Sequence, residues 1–320
     1  VCLMNEYIAN VHAALINEAL DEWGYESHQI DFIASHGQTI FHAPQSLHGL
    51  KEYPNGTLQI GDGDHLAVKT GIITLSDFRQ KHLAAGGEGA PLAVYGDYLI
   101  FSKENQDRVM LNIGGIANFT YLPGSLDASL IFSTDVGPGN TLMDQYMQRQ
   151  FNQFYDKNAA VAKQGNCNED LLNALLECDF FALDFPKTTG PELFNLSYLE
   201  NAQQVSGTSD LSPEDVMATL CHFSASGIAN AIQKCFGQDA SPYVFTSGGG
   251  MHNPLLIERL KIKLPFATFL TTADLEINPD AKEAVLFAIL ANETLCGEPI
   301  NFGNRQGVPS VCMGKISLPA

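Results

Sequence analysis

The chain has 320 residues, of which 45% are hydrophobic and 17% charged, and its formal net charge is −19 at pH 7. This composition is typical of a folded globular protein, and the length favours two domains. Acidic side chains repel phosphate backbones and anionic lipids, so we expect neither nucleic acid nor membrane as a partner. There is no signal peptide and no apolar run near the ~20 residues that cross a bilayer, which predicts a cytoplasmic protein.

The seven cysteines are scattered, and no C-x-x-C pair occurs among them. Disulfide frameworks and zinc sites need paired or clustered cysteines, so we expect neither. We predict buried free thiols in a reducing compartment. No H-E-x-x-H motif or other ligand cluster is present, and the sequence predicts no metal ligands of its own.

Strand and helix patterns alternate along the first third of the chain. Residues 3–20 have apolar side chains at helical spacing, and the predicted apolar face consists of Leu3, Ile8, Val11, Leu15 and Ala19. The segment IDFIASHGQTIFH predicts a strand that ends in polar residues, and TLQIGDGDHLAVKTG predicts a strand, a turn and a helix. GIITLSDF predicts another strand, which leads into a glycine-dense loop, RQKHLAAGGEGAPL.

The remaining two thirds continue this pattern. RVMLNIGGIANFTYLP predicts a hairpin that turns at Gly114-Gly115, SLIFSTD predicts a strand ending at Asp135, and TLMDQYMQRQF predicts a helix. Further helices are expected at 169–177, 213–236 and 280–296, and further strands in YVFTSGGGMHN and PFATFLTT. The order is typical of α/β proteins. We place a domain boundary near residues 105–130, which divides an N-terminal lobe, 1–109, from a C-terminal lobe, 110–320.

Glycine turns follow two of the predicted strands, at Gly114-Gly115 and at Gly248-Gly249-Gly250. Exposed backbone N–H groups in such turns bind anions, and the lack of side chains lets a phosphate approach. The alternative is a tight turn without a ligand. The sequence contains no P-loop motif and no G-x-G-x-x-G after a strand, so both of those nucleotide motifs are disfavoured.

Several polar residues at predicted element ends are candidates for chemistry. Asp135 precedes a predicted helix whose dipole would keep its carboxylate ionised, as a general base requires; the alternative is a capping residue. Arg79 suits recognition of a carboxylate or phosphate, or else forms a surface ion pair. His36 is a candidate substrate contact or a structural residue. Glu283 lies in a first helical turn, where acids are common, and Lys187 would contact a phosphate or solvent.

Taken in order, eight segments resemble the anhydro-N-acetylmuramic acid kinases, sugar kinases of the actin/hexokinase/Hsp70 ATPase superfamily. The segments are ASHGQTIFH, LQIGDGDHLA, DFRQKHLAAGGEGAPL, LNIGGIANFT, STDVGPGNTLMD, PKTTGPELFN, SGGGMHNPLL and AKEAVLFAILA. The resemblance implies a two-lobed actin-like (ribonuclease H-like) α/β ATPase fold with a ligand cleft between the lobes. It also implies ATP and Mg²⁺ as cofactors, a small sugar as substrate and a homodimer as the candidate assembly.

The family hydrates the anhydro bridge of 1,6-anhydro-N-acetylmuramic acid and phosphorylates oxygen 6, a step of peptidoglycan recycling. By resemblance Asp135 is the base that takes a proton from the attacking water, and Glu283 is a second carboxylate near the sugar. The resemblance also assigns the sugar pocket and the ATP phosphates to small sets of residues. The sugar set is His36, Gln38, Arg79 and Asn140, with Arg79 for the lactyl carboxylate. The ATP set is Asn112, Gly114, Gly115, Gly248, Gly249 and Gly250.

The chain departs from the family pattern at three places. His82 stands where the family usually has an acid, Glu88 stands where it has Gln, and no GTSxDG-type phosphate loop precedes the first helix. Losing one donor to a developing charge typically costs ~10²–10³ in rate. We therefore expect either a sequence that lacks its beginning or a natural variant, a non-catalytic nucleotide- or sugar-binding module on the same scaffold.

Overall fold

The computed structural model describes residues 1–89, 92–236, 240–277, 281–303 and 307–320. These residues form two compact units. Unit 1 contains Val1–Phe101, Asp127–Leu130 and Asp280–Ala320, and unit 2 contains Ser102–Leu126 and Ile131–Pro279. The lobe boundary at 109/110 stays a prediction, and it differs from this division because the C-terminal segment groups with the N-terminal residues.

Unit 1 is built from short strands and helices, with 3-10 turns at Ser27–Gln29 and Ala128–Leu130. Its strands are β1 (Ile33–Ser35), β2 (Gln38–Ala43), β3 (Gly56–Ile60), β4 (Thr74–Ser76) and β10 (Lys315–Ser317). Its helices are α1 (Cys2–Trp23), α2 (Gln45–His48), α3 (Gly63–Thr70), α4 (Phe78–Ala84), α5 (Ala93–Phe101) and α12 (Lys282–Cys296).

Strand β4 is the centre of a three-stranded sheet in unit 1. It pairs in parallel with β1 and antiparallel with β10, while β2 and β3 form a separate antiparallel pair. All three residues of β4 are buried. The pairing of β10 with β4 explains why the C-terminal segment belongs to unit 1. Helix α4 occupies the first half of the predicted glycine-dense loop, so that part of the prediction is wrong.

The predicted N-terminal helix is confirmed as α1, but its predicted apolar face is wrong. Leu3 is 84% exposed and Leu15 is 57% exposed. The face that packs on α3 instead presents Ala9 and Ala13, which form a small core with Leu66. Small side chains let the two helix backbones approach closely, and this contact decides the buried face rather than the hydrophobicity of the helix alone.

Replacing Leu66 by Ala should destabilise unit 1 by about 2–5 kcal/mol, because it opens a cavity under α1. Leu66 is fully buried, whereas Val68 on the same helix is 56% exposed. Val68→Ala is therefore the matched control, and it should change stability by less than about 0.5 kcal/mol. Denaturant unfolding of both variants measures the difference, and equal losses would contradict the described packing.

Unit 2 contains the longer elements, with 3-10 turns at Lys157–Ala159, Ala162–Gln164, Gly249–His252 and Thr272–Leu275. Its strands are β5 (Arg108–Ile113), β6 (Ile116–Leu122), β7 (Phe132–Pro138), β8 (Tyr243–Ser247) and β9 (Thr268–Thr271). Its helices are α6 (Thr141–Phe151), α7 (Glu169–Leu176), α8 (Asp179–Ala182), α9 (Leu196–Ser206), α10 (Pro213–Cys235) and α11 (Pro254–Lys263).

The five strands of unit 2 form one mixed sheet in the order β7-β6-β5-β8-β9. The antiparallel β5–β6 pair is the predicted hairpin, and β5, β8 and β9 run in parallel. Helix α10 is the core of the unit; it is buried over most of its length and packs on α6, α7, α11 and β7. This strand and helix order confirms the predicted α/β class.

Strand β7 does not end at Asp135 as predicted. Its pairing with β6 continues through Gly137 to Pro138, so Asp135 lies in the middle of the strand, opposite Asn118. The register shifts between Ala117 and Asn118, which marks a bulge beside the carboxylate. Continued pairing, rather than the glycines that follow, sets the environment of Asp135.

The cysteines are less buried than the sequence predicts. All seven cysteines are free, but only Cys221 is buried and Cys2 and Cys296 are exposed, so the prediction of buried thiols is wrong for most of them. Among the residues that the structure describes, no helix combines the length and the apolar character needed to cross a bilayer.

Candidate active site

Two glycine turns lie side by side at one edge of the unit 2 sheet. Strands β5 and β8 are parallel neighbours, with Asn112 paired to Ser247, so the turns that follow them leave the sheet together. In parallel sheets this edge, at the carboxyl ends of the strands, is where ligands bind. The first turn is Gly114-Gly115 and the second contains Gly249.

The backbone at this edge is packed too closely for side chains. Gly248 has a φ of +79°, and a Cβ on it would lie 2.6 Å from the Oδ1 atom of Asn112. A Cβ on Gly139 would overlap the carbonyl oxygen of Gly114. The backbone N–H of Asn140 donates to that same oxygen at 2.8 Å. The start of α6 is thereby joined to the first glycine turn, and the second turn packs against the end of β5 at Asn112.

A cavity of about 740 Å³ opens beside these turns, within unit 2. It is lined by Asn140, Met143, Asp144, Phe154, Tyr155, Asp156, Lys157, Asn158, Gly249, His252 and Asn253. Its volume is in the range of pockets that hold drug-sized ligands. Phe154 is 86% exposed and Tyr155 58% exposed, so both present aromatic surface at its rim.

Asp144 is the cavity carboxylate without a protein partner in the described part of the chain. Burial raises its pKa to about 6. Asp156, in contrast, accepts the backbone N–H groups of Val161 and Ala162, both at 2.9 Å. Sequence analysis did not select Asp144, although its position four residues after Asn140 places both on the same face of α6.

Asp135 is half-buried, and its Oδ2 atom accepts a hydrogen bond from the backbone N–H of Thr189 at 2.9 Å. Burial raises the pKa of this carboxyl, the Thr189 bond lowers it, and the charge of Glu192 raises it further, with a net shift upward. A helix dipole is not among the causes of this shift, so the expected stabilisation of the ionised form by the dipole stays a prediction. The carboxylate is a stronger base than a solvated aspartate.

Lys187 anchors the segment that carries Thr189. Its Nζ atom is buried and donates to the carbonyl oxygens of Phe180, at 2.8 Å, and Phe181, at 3.3 Å. It also lies 4.3 Å from the centre of the Phe180 ring. Neither the predicted phosphate contact nor the solvated alternative describes this lysine, whose role is to position the donor to Asp135.

A second pocket, of about 550 Å³, lies within unit 1. His36, Gln38 and Glu283 line it together with Phe287, whose ring lies 4.6 Å from that of His36. Glu283 is in the first turn of α12 and its charge acts on both His36 and Arg79. The structure thus brings together the four sequence-predicted residues of unit 1.

Hydrogen bonding fixes the tautomer of His36. Arginine has only donors, so the Nε–H of Arg79, 3.1 Å away, donates to the Nε2 atom of His36. The proton then lies on Nδ1, which donates to the carbonyl oxygen of Gly37 at 3.0 Å. Burial and the charge of Arg79 lower the pKa of His36 and keep it neutral. His36 therefore positions Arg79, and it has no free ring nitrogen for a substrate.

His82, one of the departures from the family pattern, has a structural role. It is 1% exposed, and its Nδ1 atom accepts the backbone N–H of Gly89 at 3.0 Å. Burial and the charge of Arg79 lower its pKa to about 4. Gly89 in turn offers its carbonyl oxygen to Nη1 of Arg79 at 2.6 Å. The neutral imidazole thus supports the loop that holds Arg79.

Asn140 lies with the glycine turns of unit 2, where its Nδ2 atom donates to the carbonyl oxygen of Ile113 at 3.4 Å. It was predicted to bind the sugar, and that role stays a prediction. Thr189, Phe287 and Asp144 were missed. Thr189 and Phe287 lie inside quoted motifs, but each acquires its role only from a partner distant in the chain.

Residues 1–317 match the family described as anhydro-N-acetylmuramic acid kinase. The chain belongs to this family. It is 57% identical to the anhydro-N-acetylmuramic acid kinase of Pseudoalteromonas atlantica and 54% identical to that of Pseudoalteromonas translucida, over 100% and 99% of its length. It spans 80% of each of these relatives.

A more distant relative, the anhydro-N-acetylmuramic acid kinase of Vibrio cholerae, is 42% identical over 94% of the chain and 78% of its own length. Membership of the anhydro-N-acetylmuramic acid kinase family confirms the resemblance found in the eight motifs. The mixed sheet of unit 2 and its helices confirm the α/β part of the predicted fold class, and the actin-like arrangement stays a prediction.

Two solved structures show weaker likeness. The activator of the 2-hydroxyisocaproyl-CoA dehydratase from Clostridium difficile, with bound ADPNP, is 12% identical, with a TM-score of 0.40, over 74% of this chain and 84% of that one. A putative N-acetylmannosamine kinase from Listeria monocytogenes is 13% identical, with a TM-score of 0.35, over 88% and 85%.

His82→Asn tests the structural role of the neutral imidazole, because the amide oxygen of Asn also accepts the Gly89 N–H. The unfolded chain binds a proton at His82 near the ordinary pKa of 6.5, whereas the folded chain does so only near 4. Neutral His82 therefore contributes its full share to the free energy of unfolding above pH 6.5. As the pH drops from 6.5 towards 4, the wild-type protein should lose stability relative to the variant. Melting temperatures of both proteins across this range measure the effect, and a pH-independent difference would contradict it.

Proposed function

We propose that this chain is an ATP-dependent kinase that converts 1,6-anhydro-N-acetylmuramic acid and water to N-acetylmuramic acid 6-phosphate in peptidoglycan recycling. Its membership of the family, over residues 1–317, is the observation that carries the proposal. The named relatives favour catalysis over the non-catalytic binding module. A cytoplasmic location and a homodimeric assembly belong to the same proposal.

The proposed reaction has two bond exchanges. Water forms a bond to the anomeric carbon as the bond from that carbon to oxygen 6 breaks, and Asp135 takes one proton of the water. Oxygen 6 then forms a bond to the γ-phosphorus of ATP as the bond to the β–γ bridging oxygen breaks, releasing ADP. Catalysis of the second exchange is mainly positioning and charge stabilisation.

The environment of Asp135 supports its role as the base. Thr189 holds Oδ2, while Oδ1 has no protein partner among the described residues, which leaves one carboxylate oxygen for a water molecule. Its raised pKa makes the ionised group a better proton acceptor than a solvated aspartate. The rigid strand around it fixes the direction of that oxygen.

The pocket of unit 1 supports sugar binding. Gln38 and Glu283 present exposed polar groups suited to sugar hydroxyls, and Phe287 supplies an apolar surface beside His36. Neutral acceptors occupy Nε and Nη1 of Arg79, and its Nη2 atom has no partner in the described part of the chain. A half-buried guanidinium that is not neutralised by an ion pair suits the lactyl carboxylate. We assign Asn140 to the sugar as well.

The glycine edge of unit 2 supports phosphate binding. A Cβ on Gly115 would have no neighbour nearer than 3.8 Å, and one on Gly249 none nearer than 3.9 Å, so both positions are less crowded than Gly139 and Gly248. We assign the phosphates of ATP to the N–H groups of these turns, which form an anion-binding concavity. The residues assigned to ATP are Asn112, Gly114, Gly115, Gly248, Gly249 and Gly250.

Magnesium fits this site as an ion carried by the nucleotide. No group of three His, Cys, Asp or Glu side chains in the described ranges is arranged to hold a metal. Mg²⁺ in kinases is usually held by phosphate oxygens, waters and one or two carboxylates. When bound, it neutralises charge on the transferred phosphoryl group.

Asp135→Asn should lower kcat by about 10²–10⁴-fold, because the amide cannot take the proton of water. The wild-type rate should fall as the pH drops through the raised pKa of Asp135. Glu192→Gln is a control with a distinct signature: removing this charge lowers that pKa, so the acid limb of the pH profile moves to lower pH with the plateau retained. An unchanged rate in Asp135→Asn would overturn the assignment.

Arg79→Met should raise KM for 1,6-anhydro-N-acetylmuramic acid by about 10- to 100-fold, the usual worth of a charge-assisted hydrogen bond. The same variant should leave KM nearly unchanged for 1,6-anhydro-N-acetylglucosamine, which lacks the lactyl carboxylate. Steady-state kinetics with both sugars separates recognition of the carboxylate from general damage to the pocket. Equal losses for both sugars would contradict the role of Arg79.

A further inference from the structure

The cavity of unit 2 contains one charged group that the proposed reaction does not use. Asp144 lies on α6 with its carboxylate half-buried. No described residue donates a hydrogen bond to this carboxylate or forms an ion pair with it. Leaving a desolvated carboxylate without donors is costly. Such a group beside a cavity is typical of a contact made by a ligand.

The geometry of α6 indicates which part of a nucleotide reaches Asp144. Asn140, at the start of the helix, is bonded to the hairpin turn through Gly114 and faces Gly249. Asp144 lies one helical turn further, about 5–6 Å along the axis. In a nucleotide whose phosphates lie on the glycine turns, the next group is the ribose.

The rest of the cavity accounts for the remaining part of the nucleotide. Phe154 and Tyr155 expose their rings at the rim, and exposed aromatic faces stack on nucleobases. Each carboxylate oxygen of Asp156 already accepts one backbone N–H group, so this carboxylate, unlike Asp144, has protein donors. Lys157 and His252 are the other ionisable groups of the lining.

We propose that Asp144 is a specificity-determining residue that accepts hydrogen bonds from the ribose hydroxyls of ATP. The assignment rests on the proposed function, because it needs the phosphates on the glycine turns. Carboxylates accept hydrogen bonds from ribose hydroxyls in other nucleotide sites, and deoxynucleotides lack one of these donors. The protein therefore prefers ATP to its deoxy analogues through Asp144.

The test compares ATP, 2′-deoxy-ATP and 3′-deoxy-ATP as substrates. For the wild-type protein, kcat/KM should fall about 10- to 100-fold for at least one deoxy analogue, since a hydrogen bond to a charged group is lost. Asp144→Ala removes the acceptor, so it should lower kcat/KM for ATP by a similar factor and largely abolish the preference for the ribose. Asp170→Ala changes an exposed first-turn acid on α7; it is the matched control and should keep the wild-type preference.

The outcomes separate this assignment from the proposed function. Equal use of ATP and both deoxy analogues by the wild-type protein overturns the role of Asp144 and needs no variant that might misfold. A preference that persists in Asp144→Ala overturns it as well. So does a variant whose only change is in its discrimination between ATP and ITP, which would assign the carboxylate to the base. Calorimetry with ADP and its 2′-deoxy form tests the same preference without turnover. Ribose-dependent binding without sugar phosphorylation overturns only the proposed function.

Discussion

Direct packing of backbone on backbone holds the glycine edge of the unit 2 sheet together. The turn after β5, the turn after β8 and the entry to α6 meet at distances that exclude a Cβ at Gly139 or Gly248. Two N–H groups at the start of α6 donate to the hairpin turn, at Gly114 and Gly115. The cavity, its carboxylate and the direction of α6 all follow from this contact.

The glycines around Asp135 have two different physical roles. Gly139 is required because the hairpin carbonyl leaves no room for a side chain, and a Cβ on Gly137 would press on the ring of Phe181 at 3.0 Å. A Cβ on Gly115 or Gly249, in contrast, would make only ordinary van der Waals contacts. The small residues of FSTDVGPGN thus allow tight packing within the protein, while the open backbone lies in the neighbouring turns.

Unit 1 holds the half-buried guanidinium of Arg79 by hydrogen bonds to neutral groups. Arg79 donates to a neutral imidazole and to a carbonyl oxygen, and the loop that supplies the carbonyl is held by a second neutral imidazole, His82. Burial and the positive charge of Arg79 keep both histidines neutral. An acid at position 82 would accept the same N–H but would place a negative charge near Arg79. The histidine leaves more of the positive potential available to an anion.

Local periodicity and short segments of fixed residue type were sufficient to predict the α/β class, the hairpin, most helices and the family. They did not determine the buried face of α1, where contact with α3 selected alanines over larger apolar residues. It is folding that places Asp135 within a strand beside Thr189, makes Lys187 an internal anchor and turns Asp144 towards a cavity. Each depends on burial and on partners distant in the chain, and a desolvated group takes its properties from those partners rather than from its neighbours in sequence.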